Sequence, residues 1–146
     1  MAKTLATQFI ETLFKSSRLV HERMGYNSDI AHLSLLQIQA LSFLKRNANA
    51  QMREIAAHFR IELPSATSLL NKLVSLQLVK RLPDLNDRRL VRVALTEEGE
   101  ALLQKALNEK TAHFEQMLSY LTETEKKELL RLLEKLNERM EKNYEK

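Results

Sequence analysis

Residues 63–76 read Leu63-Pro64-Ser65-Ala66-Thr67-Ser68-Leu69-Leu70-Asn71-Lys72-Leu73-Val74-Ser75-Leu76, and the two faces of this stretch decide the fold. On a wheel of about 100° per residue, Ala66, Leu69, Leu70, Leu73, Leu76 and the following Gln77 share one arc of about 120°. The opposite arc holds Pro64, Thr67, Ser68, Asn71, Lys72 and Ser75, with no acid. An ordinary solvated helix face mixes lysine with glutamate for local pairing. Small hydroxyls, an amide and one lysine can instead come close to a groove and reach base edges or phosphates. Pro64 fits the first turn, where backbone donors have no helical acceptor.

Working outward, Met52 to Phe59 forms a short helix with Ile55, Ala56 and Phe59 inward. The turn Phe59-Arg60-Ile61-Glu62 leads from it into the polar-faced helix, the helix-turn-helix arrangement. Downstream, Val79 to Leu82 and Leu90 to Leu95 read as strands, with Val91, Val93 and Leu95 alternating against Leu90, Arg92 and Ala94. The link Pro83-Asp84-Leu85-Asn86-Asp87-Arg88-Arg89 is rich in turn formers. The result is a β-hairpin carrying Lys80, Arg81, Arg88, Arg89 and Arg92. A basic hairpin beside a reading helix can reach the DNA backbone or a narrow minor groove, which attracts arginine.

The flanks are helical. Leu5, Phe9, Ile10, Leu13, Phe14, Leu19, Val20 and Met24 mark a first helix, broken by Gly25, Asn27, Ser28 and Asp29. A second helix spans about Leu33 to Asn47, with Ser34 and Gln37 as a capping box. Thr96 caps a fifth helix, Glu97 and Glu98 lie in its first turn, and it runs towards Tyr120. Thr122 and Glu125 cap the last helix, striped by Leu129, Leu132, Leu133, Leu136 and Met140. The terminal helices carry more apolar residues than a small reading head needs. The fold class is therefore mainly α with a small β-hairpin, a winged helix-turn-helix whose N- and C-terminal helices either pack as an intramolecular layer or serve as dimerisation helices. Residues 1–146 form one domain, with 1–30 and 97–146 as dimerisation helices and 33–95 as the DNA-binding part.

Charge agrees with this layout. Residues 45–95 hold ten basic and four acidic groups, while residues 96–146 hold nine basic and twelve acidic ones. A basic block in mid-chain suggests a polyanion contact on one part of the surface. At 44% hydrophobic residues the chain is too apolar to be disordered. It has no cysteine, so disulfides, thiolate zinc sites and thiol redox sensing are excluded. It has no apolar run near the ~18 residues of a membrane span and no signal-peptide pattern at Met1-Ala2-Lys3-Thr4-Leu5. These features place the protein in the cytoplasm, away from membranes. His21, His32, His58 and His113 are scattered without metal-ligand spacing, so neither metal nor cofactor is expected. No phosphate loop or nucleophile elbow stands in the sequence, which argues against an enzyme.

The chain resembles the MarR family of winged-helix regulators over nearly its whole length. The resemblance is densest in Met52-Arg53-Glu54-Ile55-Ala56, Ser65 through Leu73, Val79 through Asp84, Asn86-Asp87-Arg88-Arg89 and Leu95-Thr96-Glu97-Glu98-Gly99. It implies a homodimeric repressor that binds a palindromic operator in double-stranded DNA and is released by a small aromatic effector. An activator, or a protein-binding module without an effector, is the alternative. By matching positions, Thr67, Ser68 and Lys72 would face the major groove, Arg89 the minor groove and Arg81 the backbone. The candidate DNA-contact set is Ser65, Thr67, Ser68, Asn71, Lys72, Arg81, Arg88 and Arg89, with Asp87 fixing the wing by pairing with an arginine. Effectors would enter a cleft lined by the first, second and fifth helices. Three positions depart from the family pattern: Glu62 replaces a small polar cap, Gln77 a glycine, and Ser68 a frequent arginine.

Overall fold

Hydrophobic periodicity sets the element order found in a computed structural model that describes residues 2–23 and 32–144. The elements are α1 (Leu5–Arg23), α2 (Leu35–Arg46), β1 (Ala50–Gln51), α3 (Met52–Phe59), α4 (Leu63–Ser75), β2 (Val79–Pro83), β3 (Val91–Leu95), α5 (Glu97–Leu118) and α6 (Glu123–Tyr144). The end of the first helix at Met24 and the break expected at Gly25 to Asp29 lie outside the described residues. Two compact units result: Gly25–Glu109, and Met1–Met24 with Lys110–Lys146. The boundary falls inside α5, because Leu103 and Ala106 are buried with the first of these units.

The expected caps form. At α2 the Gln37 amide donates to Ser34 Oγ at 3.2 Å and the Ser34 amide to Gln37 Oε1 at 2.8 Å. At α6 the Thr122 amide donates to Glu125 Oε2 at 2.8 Å and the Glu125 amide to Thr122 Oγ1 at 3.3 Å. Each pair satisfies donors that a helix start leaves without partners.

One strand is additional to the expected hairpin. Ala50 and Gln51 pair antiparallel with Val93 and Arg92, so β3 is central in the order β1-β3-β2. A two-residue strand has no period to read, and Ala50 is buried against Val93 by tertiary packing. The β2–β3 register pairs Val79 with Leu95 and Arg81 with Val93.

The core of this unit gathers Leu41 and Leu44 of α2, Ile55 of α3, Leu70 and Leu73 of α4, Val93 and Leu103, all fully buried. Each such burial contributes about 1.5–3 kcal/mol. Ala66, Leu70 and Leu73 occupy the inward arc of α4 as its wheel requires. Leu76 does not join them and stays 40% exposed, because the helix has ended at Ser75 and helical geometry no longer places it.

The end of α4 is unusual. Gln77 has φ of 61°, in the left-handed region that favours glycine. Its amide donates to Val74 O at 2.9 Å and that of Leu78 to Leu73 O at 3.0 Å, which is a Schellman closure. Residue 96 clasps the turn: Thr96 N–H donates to Leu78 O at 3.1 Å and Thr96 Oγ1 to Gln77 O at 2.6 Å. The same hydroxyl oxygen accepts from Gly99 N–H at 3.0 Å and so caps α5. A Cβ on Gly99 would stand 2.0 Å from Leu78 O, so α5 can start here only on a glycine.

Two substitutions test this junction by denaturant unfolding. Gly99→Ala is expected to destabilise by about 1–3 kcal/mol or more, since backbone must move. Gln77→Gly is expected to stabilise by about 0.5–1 kcal/mol through relief of the left-handed backbone.

Candidate nucleic-acid interface

Helix α3 packs against α4 and braces it. Glu54 Oε2 accepts from the Gln51 amide at 2.6 Å at its start. At its end Arg60 turns left-handed, with φ of 51°, and the Ile61 amide reaches back to Ala56 O at 3.0 Å. The His58 ring lies 4.4 Å from that of Phe43 and 4.8 Å from that of Phe59. These contacts fasten α3 to α2. Glu62, at the cap position of α4, makes no side-chain cap bond, consistent with its departure from the usual small polar cap.

On α4, Ser65, Ser68, Asn71 and Lys72 are exposed and Thr67 is half-buried. Thr67 Oγ1 donates to Leu63 O at 2.9 Å, which commits its proton and leaves its lone pairs to accept. Arg81 comes to the same place from β2. Side chains two apart on a strand share a face, and Val79 is buried in the core, so Arg81 is carried to the α4 side. Its Nη2 donates to Asn71 Oδ1. The structure thus joins two expected site residues directly.

The wing is built on an acid the sequence reading did not select. Asp84 is 4% exposed. Its Oδ1 accepts from the amides of Asn86 at 2.8 Å and Asp87 at 3.0 Å. Its Oδ2 accepts from Arg92 Nε, and Arg92 Nη1 donates to Asn49 O at 2.9 Å. The two backbone bonds first, then Arg92, hold this carboxyl below its ordinary value of 3.8. Asp87 differs from the expectation of an arginine pair: its Oδ1 accepts from the backbone amide of Arg89 at 2.9 Å. The acid–arginine pair of the wing is Asp84–Arg92, because Asp84 follows directly on β2 and Leu82 lies opposite Arg92 in the sheet. Arg92 is therefore structural rather than an outward cation of the hairpin. The missed acid had a signal, since an aspartate at the head of a turn-rich link can accept from the backbone amide two residues on. Arg88 and Arg89 occupy the exposed turn beyond and, among the described residues, have no carboxylate partner.

Among the described residues no cluster of His, Cys, Asp and Glu could hold a metal ion, and no helix is long and apolar enough to cross a membrane.

Comparison with known proteins adds to this geometry. Residues 33–90 match the family model described as the MarR family. Over 93% of this chain and 98% of the other, the structure is similar to a crystal structure of a mutant MarR from E. coli, with a TM-score of 0.69 and 26% identity. The chain is thus similar to MarR-family winged-helix proteins, in sequence over residues 33–90 and in fold over nearly its whole length. FabT of Streptococcus pneumoniae, solved in complex with DNA, shares the MarR fold with a TM-score of 0.76 at 18% identity, over 94% of this chain and 96% of FabT. Among curated relatives, the HTH-type transcriptional repressor MdtR of Bacillus subtilis is 29% identical over 61% of this chain, and the match spans 57% of MdtR's length. The curated relatives are HTH-type transcriptional regulators rather than enzymes.

The unit formed by residues 1–24 and 110–146 contains a cavity of about 200 Å³ between α1 and the second half of α5. Leu19, Val20 and Met117 supply apolar wall, and Ser16, Gln116 and Arg23 polar groups. Arg23 Nη1 donates to the Tyr120 hydroxyl at 2.7 Å, and its guanidinium carbon is 5.7 Å from the ring centre. α2 lends no residue to this lining.

The buried wing acid yields a prediction. Asp84→Ala is expected to remove hydrogen-exchange protection at the Asn86 and Asp87 amides while the core amides of α2 and α4 keep theirs. The pH sense follows from a depressed folded value. Asp84 contributes in full above its ordinary 3.8 and loses its contribution as pH falls through the lower folded value. Wing protection should accordingly be flat from neutral pH down to about 4 and fall only below it.

Proposed function

We propose that this chain is a homodimeric transcriptional repressor that binds a palindromic operator in double-stranded DNA. In this reading α4 enters the major groove and the wing follows the adjacent minor groove. The observation that carries it is the exposed, acid-free face of α4, with Arg81 bonded across to Asn71. Ser65, Thr67, Ser68, Asn71 and Lys72 meet bases or nearby phosphates, Arg81 adds charge beside them, and Arg88 and Arg89 reach the minor groove. Asp87 holds the Arg89 amide in place on the wing. DNA as a partner also locates the protein in the cytoplasm.

The dimer is supported by apolar surface. Leu5, Phe9 and Leu13 on α1 and Leu132, Leu136 and Met140 on α6 are each between 48% and 82% exposed. Covering them gains about 25 cal/mol per Å². A second copy covers them and sets two reading helices roughly 34 Å apart, one turn of DNA.

The effector of this reading is a small aromatic acid seated in the cavity between α1 and α5, its ring on Leu19, Val20 and Met117 and its carboxylate on Arg23.

A mobility-shift titration against the protein's own upstream region and a random DNA pool tests the central claim. A competitor-resistant shift that weakens with salt is expected, and absence of any such shift would sink it. Arg89→Ala should weaken binding severalfold with the dimer intact by sedimentation. Lys72→Ala should lower the slope of log affinity against log salt by about one. Benzoate should raise the melting temperature of the wild type and leave that of Arg23→Ala unmoved. Equal shifts in both would remove Arg23 from the effector site.

A further inference from the structure

The bond between Arg81 and Asn71 fixes which way the asparagine amide faces. A guanidinium has five donors and no acceptor, so the atom it meets must be Oδ1. Nδ2, with both its hydrogens, then points away from Arg81. Among the described residues it meets no acceptor. Asn71 is exposed on the same face as Ser68 and Lys72. Arg81 itself, among the described residues, has no acid partner, so it holds the amide without losing its charge.

We infer that Arg81 is a specificity-determining positioning residue: it presets Asn71 as a donor, and Asn71 reads guanine rather than adenine. The inference rests on α4 being the base-reading helix. An asparagine that is free to rotate reads adenine by two bonds, giving a hydrogen to N7 and taking one from N6. The second bond needs Oδ1, one of whose two lone pairs Arg81 takes, and the guanidinium's positive charge beside it disfavours a second donor such as N6 there. Guanine presents two neighbouring acceptors, N7 and O6, to the two hydrogens of Nδ2. Adenine would set its N6 donor against one of those hydrogens. Thymine offers O4, but with its methyl group beside it. The preference therefore falls on guanine.

The strand register makes this arrangement rigid. Arg81 sits opposite Val93 on the central strand, and Val79, two residues before it, is locked in the core against α4. The guanidinium is thereby anchored from the sheet and not from α4 itself. Both partners are exposed, so substituting either leaves the core untouched.

The test is selection from a random DNA pool with the full-length wild type, Arg81→Ala, Arg81→Lys and Asn71→Ala, with folding checked by circular dichroism. Wild type is expected to enrich guanine at one position of each half-site, and Asn71→Ala to lose the preference at that position only. Arg81→Ala should change that position from guanine towards adenine, with discrimination altered on the order of tenfold. Arg81→Lys, which keeps a donor at the same place, should retain guanine. Should Arg81→Ala lower affinity for all sequences alike and leave the base preference as it was, Arg81 touches phosphate and the inference is overturned. A wild type that enriches no sequence overturns the DNA-reading proposal as well, whereas an unchanged preference in Arg81→Ala overturns the positioning role by itself.

Discussion

The turn at Gln77 and Leu78 is the constraint on which the helix-turn-helix unit depends. Its two carbonyls are taken by one threonine, through the Thr96 hydroxyl and the Thr96 amide. That residue also caps α5. One residue thus joins the end of α4, the start of β2, the end of β3 and the start of α5. The angle at which α4 leaves the sheet, and so the direction in which its polar face looks, is set at this junction. The cost is a non-glycine residue in the left-handed region, and the compensation is a dense set of backbone bonds around it.

The wing solves a different problem. A loop rich in arginine repels itself and would sample many shapes. Here a buried carboxylate gathers two backbone amides and one guanidinium, and that guanidinium also holds the carbonyl of Asn49 next to β1. The hairpin arginines are therefore divided by role. Arg92 faces inward and spends its charge on Asp84. Arg88 and Arg89 remain on the exposed turn, and Arg81 faces α4. A substitution at Asp84 acts on Arg88 and Arg89 only through the shape of this turn.

The two units differ in what they bury. The unit around α2, α3 and α4 has a closed core with fully buried leucines and a central valine. In α6, by contrast, none of the described residues is buried, although its leucines repeat at helical spacing. A helix with such a stripe is stable in water when something covers it, because a lone helix gains little from propensity. The proposed dimer answers that need within the same chain chemistry.

Much of this was written in the sequence, because it depends on local patterns. The bounds of α3, the caps at Ser34, Thr96 and Thr122, the inward arc of α4 and the hairpin all follow from periodicity and backbone donors near helix ends. The family resemblance followed from residues close together in the chain. The tertiary structure decided what depends on partners distant in sequence or on burial. Ala50 and Gln51 became a strand only because Val93 and Arg92 lie beside them. Asp84 rather than Asp87 took the arginine, since only Asp84 is buried where Arg92 can reach it. Asn71 and Arg81 were each legible as candidate contacts, but that one holds the other could not be read from either helix wheel or strand alternation. Sequence fixes which groups a face carries, and packing fixes which of those groups remain free to bind.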